Sequence, residues 1–412
     1  MRALQYRRSI PRYLLLRLLG PRIRRLYTSS VSLLSLRDVA EPELPTPQWV
    51  RIAPRLAGIC GSDLGTICAK NSPYLAPVTS LPFVMGHELV GRVTEIGRDV
   101  TEIHVGDRVV LRPALGCKAR GITPMCEACR GNRDALCRNV RRGDVSPGLQ
   151  TGFCRDTGGA FGESLVAHKS QVYSVPEDIS DEAAVLCEPF ACALHGALQV
   201  ALTKDDTALV IGCGSIGLLT VAALRASGCQ ARIVVAAKYD HQKEHALALG
   251  ADEVLESGGG IARRYAVWAK SLDAEVCDPE LGKPLVLGGA SAVFDCVATS
   301  STLDDGLRFT KSGGTFVLVG MPGLPSGVDW TPLWYQETTL KAAYAYGPEN
   351  LGGVERDTFD IALEWLHEWG PKLEPLVGTP FELADYREAL RCALTTGRSR
   401  SVKTIFIVND RD

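Results

Sequence analysis

The feature that most constrains the fold is a glycine-rich turn, residues 212–217, with the sequence GCGSIG. It follows the apolar run Thr207–Ile211 and opens a helical pattern over residues 216–227. Glycines at this spacing permit a tight turn, a close approach of the backbone to a pyrophosphate, and tight packing of helix on strand. The sequence therefore predicts a dinucleotide site at Gly212, Gly214, Ser215, Ile216 and Gly217.

Around this turn, apolar strands alternate with helical segments. The further strands are predicted at residues 231–237, 292–296, 315–319 and 401–408, and the helices at 181–200, 241–249 and 359–368. This alternation is typical of an α/β domain with a parallel sheet and crossover helices. Residues 42–185 differ, because short apolar runs are separated by glycine and proline, which indicates an irregular β-rich domain.

Composition excludes several classes of protein. Lysine and arginine number 45 against 47 acidic residues, so the net charge of −2 does not favour a nucleic-acid partner. No apolar run approaches the roughly 20 residues that span a bilayer. Fourteen cysteines in 412 residues are too sparse for a small secreted disulfide scaffold. We expect a reduced, cytoplasmic protein in which clustered cysteines bind metal.

The first 37 residues contain nine arginines and no acidic residue. An arginine-rich, acid-poor start is also typical of an organellar transit peptide. Because residues 1–6 already have the pattern of a first strand, we favour a folded start with an insertion at residues 10–36. Leucines at positions 14, 15, 18 and 19 have helical spacing beside arginines. The basic segment 7–37 is therefore the only part of the chain expected to contact a membrane surface.

Four cysteines lie within 21 residues: Cys117, Cys126, Cys129 and Cys137. Four thiolates around Zn²⁺ form a closed tetrahedral site that stabilises a lobe and leaves no position for a substrate. Free cysteines and a redox C-x-x-C pair are the alternatives. A DNA-reading zinc ribbon is disfavoured because the surrounding sequence has no extended basic surface.

A second set of ligand-type residues is dispersed along the chain. Cys60 lies in GICGSD, and His87 and Glu88 lie in GHE. Glu188, beside Cys187, adds a further carboxylate just before the nucleotide domain. Three protein ligands and one open position are typical of a catalytic zinc site.

The strand after the glycine turn bears on the choice of cofactor. An acidic residue at its carboxyl end would bind the ribose 2′-hydroxyl of NAD. The sequence places Ala237 there, followed by Lys238. An apolar residue beside a lysine suits a 2′-phosphate, so NADP(H) is favoured over NAD(H). The alternative is that Asp240 lies close enough to the ribose for NAD.

Together these motifs resemble the zinc-dependent medium-chain dehydrogenase/reductase family, which includes alcohol, polyol and threonine dehydrogenases. The segments FDCV at 294–297 and GGTFVLVG at 313–320 also match. The resemblance implies a GroES-like β-rich catalytic domain and a doubly wound Rossmann domain, with the active site in the cleft between them. The expected domains are residues 1–185, which include the zinc lobe 112–140, then the Rossmann domain 186–345 and a returning segment 346–412.

The resemblance also implies roles for single residues. Cys60, His87 and Glu188 match the ligands of the catalytic zinc, and Glu88 matches a ligand or a group that exchanges with one. Asp63 matches an acid that orients the histidine, and Cys187 is expected to be a packing residue. Ser62 matches the group that accepts the substrate proton. Gly65 replaces a histidine of the usual relay, so Thr66, water or Glu88 must carry the proton onward.

The cysteine loop departs from the family pattern. Eight residues separate Cys117 from Cys126, and Thr123 occupies the usual position of the first cysteine. Either the loop bulges to deliver Cys117, which we favour, or only three thiolates meet.

The resemblance implies hydride transfer between NAD(P) and a secondary alcohol, polyol or amino alcohol, or the matching ketone. Two zinc ions per chain are expected, and the segment 340–346 resembles an edge strand that pairs subunits in homodimers or homotetramers. The alternatives are a catalytically inactive dinucleotide-binding protein and a zinc-free quinone or enoyl reductase of the same fold.

Overall fold

The computed structural model describes residues 1–409, so residues 410–412 of the expected C-terminal segment lie outside the described part. The chain forms two compact units. The first contains Met1–Glu188 and the chain from Tyr346 onward, and the second contains Pro189–Ala345. No helix in residues 1–409 has the length and apolar character needed to cross a bilayer.

The first unit is rich in short strands. Its N-terminal elements are β1 (Arg2–Tyr6), α1 (Ile10–Leu19), β2 (Leu34–Asp38), β3 (Trp49–Gly58), α2 (Gly61–Ile67), β4 (Phe83–Val84), β5 (Glu88–Ile96), β6 (Arg108–Leu111), α3 (Glu127–Arg130), β7 (Leu165–His168), β8 (Val172–Ser174) and α4 (Asp181–Ala184). Helix α5 (Cys187–Ala197) begins at the end of this unit, so the helix predicted at 181–200 is interrupted at residues 185–186.

The second unit contains β9 (Thr207–Ile211), α6 (Ser215–Ala226), β10 (Arg232–Ala237), α7 (Asp240–Ala248), β11 (Glu253–Glu256), α8 (Ile261–Ser271), β12 (Ala274–Cys277), β13 (Leu285–Gly288), β14 (Ala290–Asp295), α9 (Ser300–Phe309), β15 (Thr310–Leu318), α10 (Thr331–Tyr335) and β16 (Thr339–Ala342). The chain then returns to the first unit with β17 (Pro348–Leu351), β18 (Val354–Asp357), α11 (Thr358–Leu373), β19 (Phe381–Glu382), α12 (Tyr386–Leu394), α13 (Thr396–Ser399) and β20 (Ile405–Ile407).

The main sheet of the first unit has the order β19-β20-β3-β5-β6-β8, and β7 also pairs with β3. Strand β20 lies antiparallel to β3, with Ile405 opposite Gly58. Strand β5 is continuous from Glu88 to Ile96, across the glycine at position 91. Apolar side chains of β3, β5 and β20, including Ile52, Val93 and Phe406, form the core beneath this sheet.

The N-terminal strand is part of the fold. Strand β1 pairs with both β2 and β4, and the Leu4 amide donates to the Phe161 carbonyl at 2.8 Å. Ala3 and Leu4 are fully buried. The predicted first strand and the helix after it are both present, and the segment 10–36 runs into β2. Its status as an insertion stays a prediction.

The second unit contains a six-stranded parallel sheet with the order β11-β10-β9-β14-β15-β16. In order of appearance along the chain this is 3-2-1-4-5-6, the order of a doubly wound dinucleotide-binding fold. The α/β fold class is therefore confirmed. Strand β16 forms one edge of the sheet, and all four of its residues are exposed.

The glycine turn between β9 and α6 has little steric freedom, except at Gly214. Gly212 has a φ of +97°, a value that side-chain-bearing residues rarely adopt. A Cβ atom on Gly217 would lie 1.8 Å from the Gly212 carbonyl oxygen. A Cβ atom on Gly214, in contrast, would meet no atom within 4 Å.

This difference predicts that two matched alanine substitutions change different properties, one the stability of the fold and the other the affinity for the cofactor. We expect Gly217→Ala to lower the free energy of unfolding by at least about 2 kcal/mol, because backbone must move. We expect Gly214→Ala to change it by less than about 0.5 kcal/mol but to weaken NAD(P)H binding, because its methyl group faces the space reserved for pyrophosphate. Chemical denaturation and fluorescence titration would measure the two effects. Unchanged cofactor affinity in Gly214→Ala would contradict the assignment of the turn.

Candidate active site

A thiol, an imidazole and a carboxylate meet in the first unit. Ligand atoms of Cys60, His87 and Glu88 all lie within 4.8 Å of one another. Cys60 is the N-cap residue of α2, where its amide donates to Asp63 Oδ2 at 3.0 Å. His87 and Glu88 follow Gly86, whose φ of +94° turns the chain between β4 and β5. The structure thus brings together three of the predicted catalytic-zinc residues.

Asp63 lies behind the histidine. Its Oδ1 atom is 3.6 Å from His87 Nδ1, and both side chains are buried. Burial lowers the pKa of His87, but the charges of Asp63 and Cys60 outweigh it and the net shift is upward. Burial raises the pKa of Asp63 to about 6, against the lowering effect of His87. A carboxylate in this position orients the imidazole ring so that its other nitrogen faces a metal.

Glu88 has a partner that sequence reasoning missed. The Lys403 ammonium group forms an ion pair with Glu88 Oε2, and both residues are buried, with exposed fractions of 2% and 1%. A Cβ atom on Gly58 would lie 2.2 Å from Glu88 Oε2, so a glycine is needed at this end of β3. The only sequence signal was a lysine within the apolar C-terminal strand pattern.

The donor set fits a zinc ion. In residues 1–409, buried Glu88 Oε1 and Ser62 Oγ have no hydrogen-bond partner. A buried carboxylate oxygen without a donor is costly, and a bound cation would remove that cost. Sulfur, nitrogen and carboxylate oxygen are the ligands that zinc prefers.

Glu188, in the first turn of α5, lies outside the group of three residues whose ligand atoms meet within 4.8 Å. Its exposed fraction is 8%, and its charge raises the pKa of both His87 and Lys403. The neighbouring Cys187 is fully buried, and burial, followed by the charge of Glu188, strongly raises the pKa of its thiol. Cys187 is therefore neutral at pH 7, in agreement with its prediction as a packing residue.

Ser62 and Thr66, two of the groups predicted to carry the substrate proton, lie one helical turn apart in α2. The Thr66 hydroxyl donates to the Ser62 carbonyl at 2.9 Å and accepts from Asn71 Nδ2 at 2.7 Å. Both capacities of the Thr66 hydroxyl are thus in use within the helix and its following turn. A proton relay through Thr66 would require these bonds to rearrange, so this arrangement does not favour that route.

The four cysteines of the lobe converge, including Cys117. All four sulfurs lie within 4.8 Å of one another, with Cys117 at 3.7 Å and Cys126 at 4.0 Å from Cys137. Zn–S bonds near 2.3 Å place tetrahedral sulfurs about 3.8 Å apart, whereas a disulfide needs about 2.05 Å. The spacing fits a tetrathiolate zinc site.

Hydrogen bonds around the sulfurs favour a thiolate at Cys126, whereas burial raises the pKa of Cys117 and a neighbouring thiol raises that of Cys129. Backbone amides of Cys117, Cys126 and Asn139 donate to cysteine sulfurs at 3.3–3.4 Å. Burial raises the pKa of Cys126, but bonds from the amides of Cys129 and Arg138 outweigh it and bring the pKa to about 6.

A compact turn delivers Cys117 to the cluster. Its carbonyl accepts from the amides of Arg120 at 3.2 Å and Ile122 at 3.0 Å, so the extra residues loop out between the first two cysteines. The Arg120 side chain is fully buried. It donates to five backbone carbonyls, those of Leu115, Arg142, Val145, Ser146 and Gly148. Arg120 therefore connects the cysteine loop to residues 142–148, which follow the lobe.

In the second unit, α6 begins directly after Gly214, so the amides of Ser215 and Ile216 lie in its first turn. The N-terminus of a helix favours a phosphate group. Strand β10 ends at Ala237, as the sequence indicated, and the Lys238 ammonium lies 5.5 Å from the centre of the Tyr239 ring. Asp240 is the first residue of α7, where its carboxylate lies 3.0 Å from Lys243 Nζ.

Comparison with known proteins agrees with this geometry. The family profile "Alcohol dehydrogenase GroES-like domain" matches residues 46–177, and "Zinc-binding dehydrogenase" matches residues 215–368. An L-idonate 5-dehydrogenase of Vitis vinifera is 27% identical over 87% of this chain and 88% of that protein. An L-threonine 3-dehydrogenase of Paraburkholderia xenovorans is 28% identical over 88% of this chain and 93% of that protein.

A solved structure shares the fold. A zinc-binding dehydrogenase from Sinorhizobium meliloti, bound to NADP, superposes with a TM-score of 0.68 at 23% identity, covering 92% of this chain and 97% of that chain. The two family profiles together span most of residues 46–368, and both correspond to the folds described above. The chain belongs to the zinc-dependent medium-chain dehydrogenase/reductase family.

Proposed function

We propose that the cluster around Cys60 and His87 is the catalytic zinc site of a dehydrogenase. The observation that carries this proposal is that Cys60, His87 and Glu88 offer ligand atoms within 4.8 Å of one another and that the buried Glu88 Oε1 atom has no donor. The chain is an NAD(P)-dependent oxidoreductase that transfers a hydride between its cofactor and a secondary alcohol, polyol or amino alcohol, or the matching ketone. An inactive binding protein or a zinc-free reductase is not favoured, because neither needs both ligand clusters.

The ligand set follows from the charges. The ion pair with Lys403 balances the charge of Glu88, which leaves Cys60 and Glu188 to neutralise a divalent cation. We therefore assign Cys60, His87 and Glu188 as ligands and Glu88 as a group that exchanges with one of them. A single thiolate leaves the metal more electrophilic than two thiolates would.

The chain's own groups then position and deprotonate the substrate. When bound, zinc supplies the Lewis acidity that eases loss of the hydroxyl proton, and the nicotinamide supplies the hydride acceptor. Ser62 Oγ, which is buried beside the cluster, accepts that proton. Asp63 holds His87 in its orientation. With Thr66 bonded within its own helix, water or Glu88 carries the proton onward.

We assign a second, structural zinc to Cys117, Cys126, Cys129 and Cys137, giving two zinc ions per chain. The support is the sulfur spacing, which fits a tetrahedron and leaves no open coordination position. This site stabilises the lobe and takes no part in the reaction.

We propose that NADP(H) is preferred over NAD(H). The support is the absence of an acid at the end of β10, where Ala237 and Lys238 stand, together with the engagement of Asp240 by Lys243. The NADP carried by the Sinorhizobium relative is compatible with this preference.

We further propose a cytoplasmic homodimer or homotetramer that binds a small-molecule alcohol or ketone and no nucleic acid. The support for a reducing compartment is that four of the fourteen cysteines meet in one cluster whose sulfur spacing suits zinc rather than disulfides. The support for assembly is the exposed edge strand β16. Strand β1 is the central strand of the three-stranded sheet β2-β1-β4. This position argues against removal of the N-terminal segment as a transit peptide.

For the catalytic site, we expect Cys60→Ser to lower zinc content from two ions to one per chain and to reduce kcat at least about 1,000-fold, while NADPH binding persists. Cys187→Ser, which changes a buried thiol next to Glu188, is the control and should retain two zinc ions. Elemental analysis and steady-state assays would measure both. Full activity in Cys60→Ser would refute the catalytic assignment.

For the structural site, we expect Cys129→Ser to lose one zinc ion and to lower the Tm by at least about 5 °C, because an open tetrahedron no longer holds the lobe. The control is Cys154→Ser, which changes a buried thiol outside the lobe and should keep both zinc ions. Calorimetry and elemental analysis would measure the two effects. An unchanged Tm with two zinc ions bound would contradict the assignment of a structural zinc to these four cysteines.

For the cofactor, we expect Lys238→Ala to raise the Kd of NADPH about tenfold and to leave that of NADH nearly unchanged, since one charge-assisted bond to phosphate is lost. The exposed Lys204→Ala is the control. Fluorescence titration distinguishes the outcomes, and equal weakening of both cofactors would mean that Lys238 does not read the 2′-phosphate.

A further inference from the structure

Helix α1 exposes its apolar side chains. An ordinary surface helix buries its apolar face against the protein. In α1 only Leu16 is buried. The other aliphatic residues have large exposed fractions, which are 71% for Ile10, 49% for Leu14, 36% for Leu15, 66% for Leu18 and 41% for Leu19.

These exposed residues form one continuous surface. With about 100° of rotation per residue, Ile10, Leu14, Leu18, Leu15 and Leu19 follow one another around about half of the helix. Leu16 lies on the opposite half. Arg12 and Arg17 fall at the two borders of the apolar half, next to Leu19 and Ile10 respectively. An apolar half with arginines at both edges is the pattern of a helix lying in a membrane interface.

The chain on either side of α1 is basic. Arg7 and Arg8 precede the helix, and Arg22, Arg24 and Arg25 follow it, and all five are exposed. No acidic residue occurs in residues 1–37. This charge complements anionic lipid headgroups, each nearby arginine adding to the attraction.

The helix is held to the domain by its inner side. Leu16 is fully buried, and Arg17 Nη1 lies 3.1 Å from the Tyr13 hydroxyl and 3.5 Å from the Ala69 carbonyl. A Cβ atom on Gly20 would lie 2.4 Å from the Tyr27 ring, so the chain after α1 packs closely on itself. The apolar half is therefore presented in a preformed orientation, which lowers the ordering cost of binding.

We propose that α1 and its flanking arginines dock the protein on a bilayer surface that contains anionic lipids. The apolar half enters the boundary between headgroups and acyl chains, and the exposed guanidinium groups of Arg12 and of the arginines that flank the helix reach lipid phosphates. A nucleic acid would engage the arginines but would leave the leucines in water. This inference does not depend on the proposed catalytic function.

The test is sedimentation with vesicles of phosphatidylcholine, with and without one-third phosphatidylglycerol. We expect the protein to bind only the anionic vesicles. We expect Leu14→Ser/Leu18→Ser and Arg12→Gln/Arg22→Gln/Arg24→Gln each to weaken the partition coefficient at least about tenfold, and high salt to weaken it further. All substituted side chains are exposed, so the Tm should not change.

Matched controls are Leu281→Ser/Val354→Ser and Arg98→Gln/Arg141→Gln/Arg263→Gln, which alter the same numbers of exposed side chains elsewhere and should bind as the parent protein does. Several outcomes would overturn the proposal. They are no binding to anionic vesicles, equal binding to neutral vesicles, or binding that the leucine pair does not affect. A smaller assembly in light scattering for Leu14→Ser/Leu18→Ser would instead identify the apolar half as a contact between copies of this chain.

Discussion

The buried ion pair between Glu88 and Lys403 joins the two chain segments of the first unit beside the cluster of Cys60 and His87. Glu88 opens β5, and Lys403 precedes β20, which reaches β3 only after the chain has formed the whole second unit. Gly58 leaves the space in which the two side chains meet. Removal of one partner from a buried ion pair costs about 3–5 kcal/mol. The segment before β20 and the start of β5 therefore stabilise each other.

The same pair sets the charge of the cluster around Cys60 and His87. Burial lowers the pKa of Lys403, but the charges of Glu88 and Cys60 outweigh it and keep the ammonium protonated. With Glu88 balanced in this way, a thiolate and one further carboxylate suffice for a divalent cation. The Asp63 carboxylate lies 3.6 Å from His87 Nδ1, a position from which it can orient the imidazole ring.

The two candidate zinc sites differ in chemistry because their donor sets differ. The lobe presents four sulfurs at tetrahedral spacing, tied to the domain by the buried Arg120, and such a set is closed to substrate. The cluster at Cys60 and His87 mixes sulfur, nitrogen and oxygen and includes an unsatisfied Ser62 hydroxyl. The four-sulfur set suits a structural role, whereas the mixed set can accept a reacting group.

The sequence by itself determined whatever depends on neighbours along the chain. The turn from Gly212 to Gly217, the end of β10 at Ala237 and the helical spacing of α1 all follow from local patterns, because backbone sterics and side-chain periodicity act over a few residues. The family motifs also marked Cys60, His87 and the four cysteines of the lobe. Tertiary structure decided what depends on distant segments. These are the pairing of Lys403 with Glu88, the arrival of Cys117 at the other cysteines, and the outward orientation of the leucines of α1. A pattern along the chain states which side chains share a face, but only the path of the rest of the chain decides what that face meets.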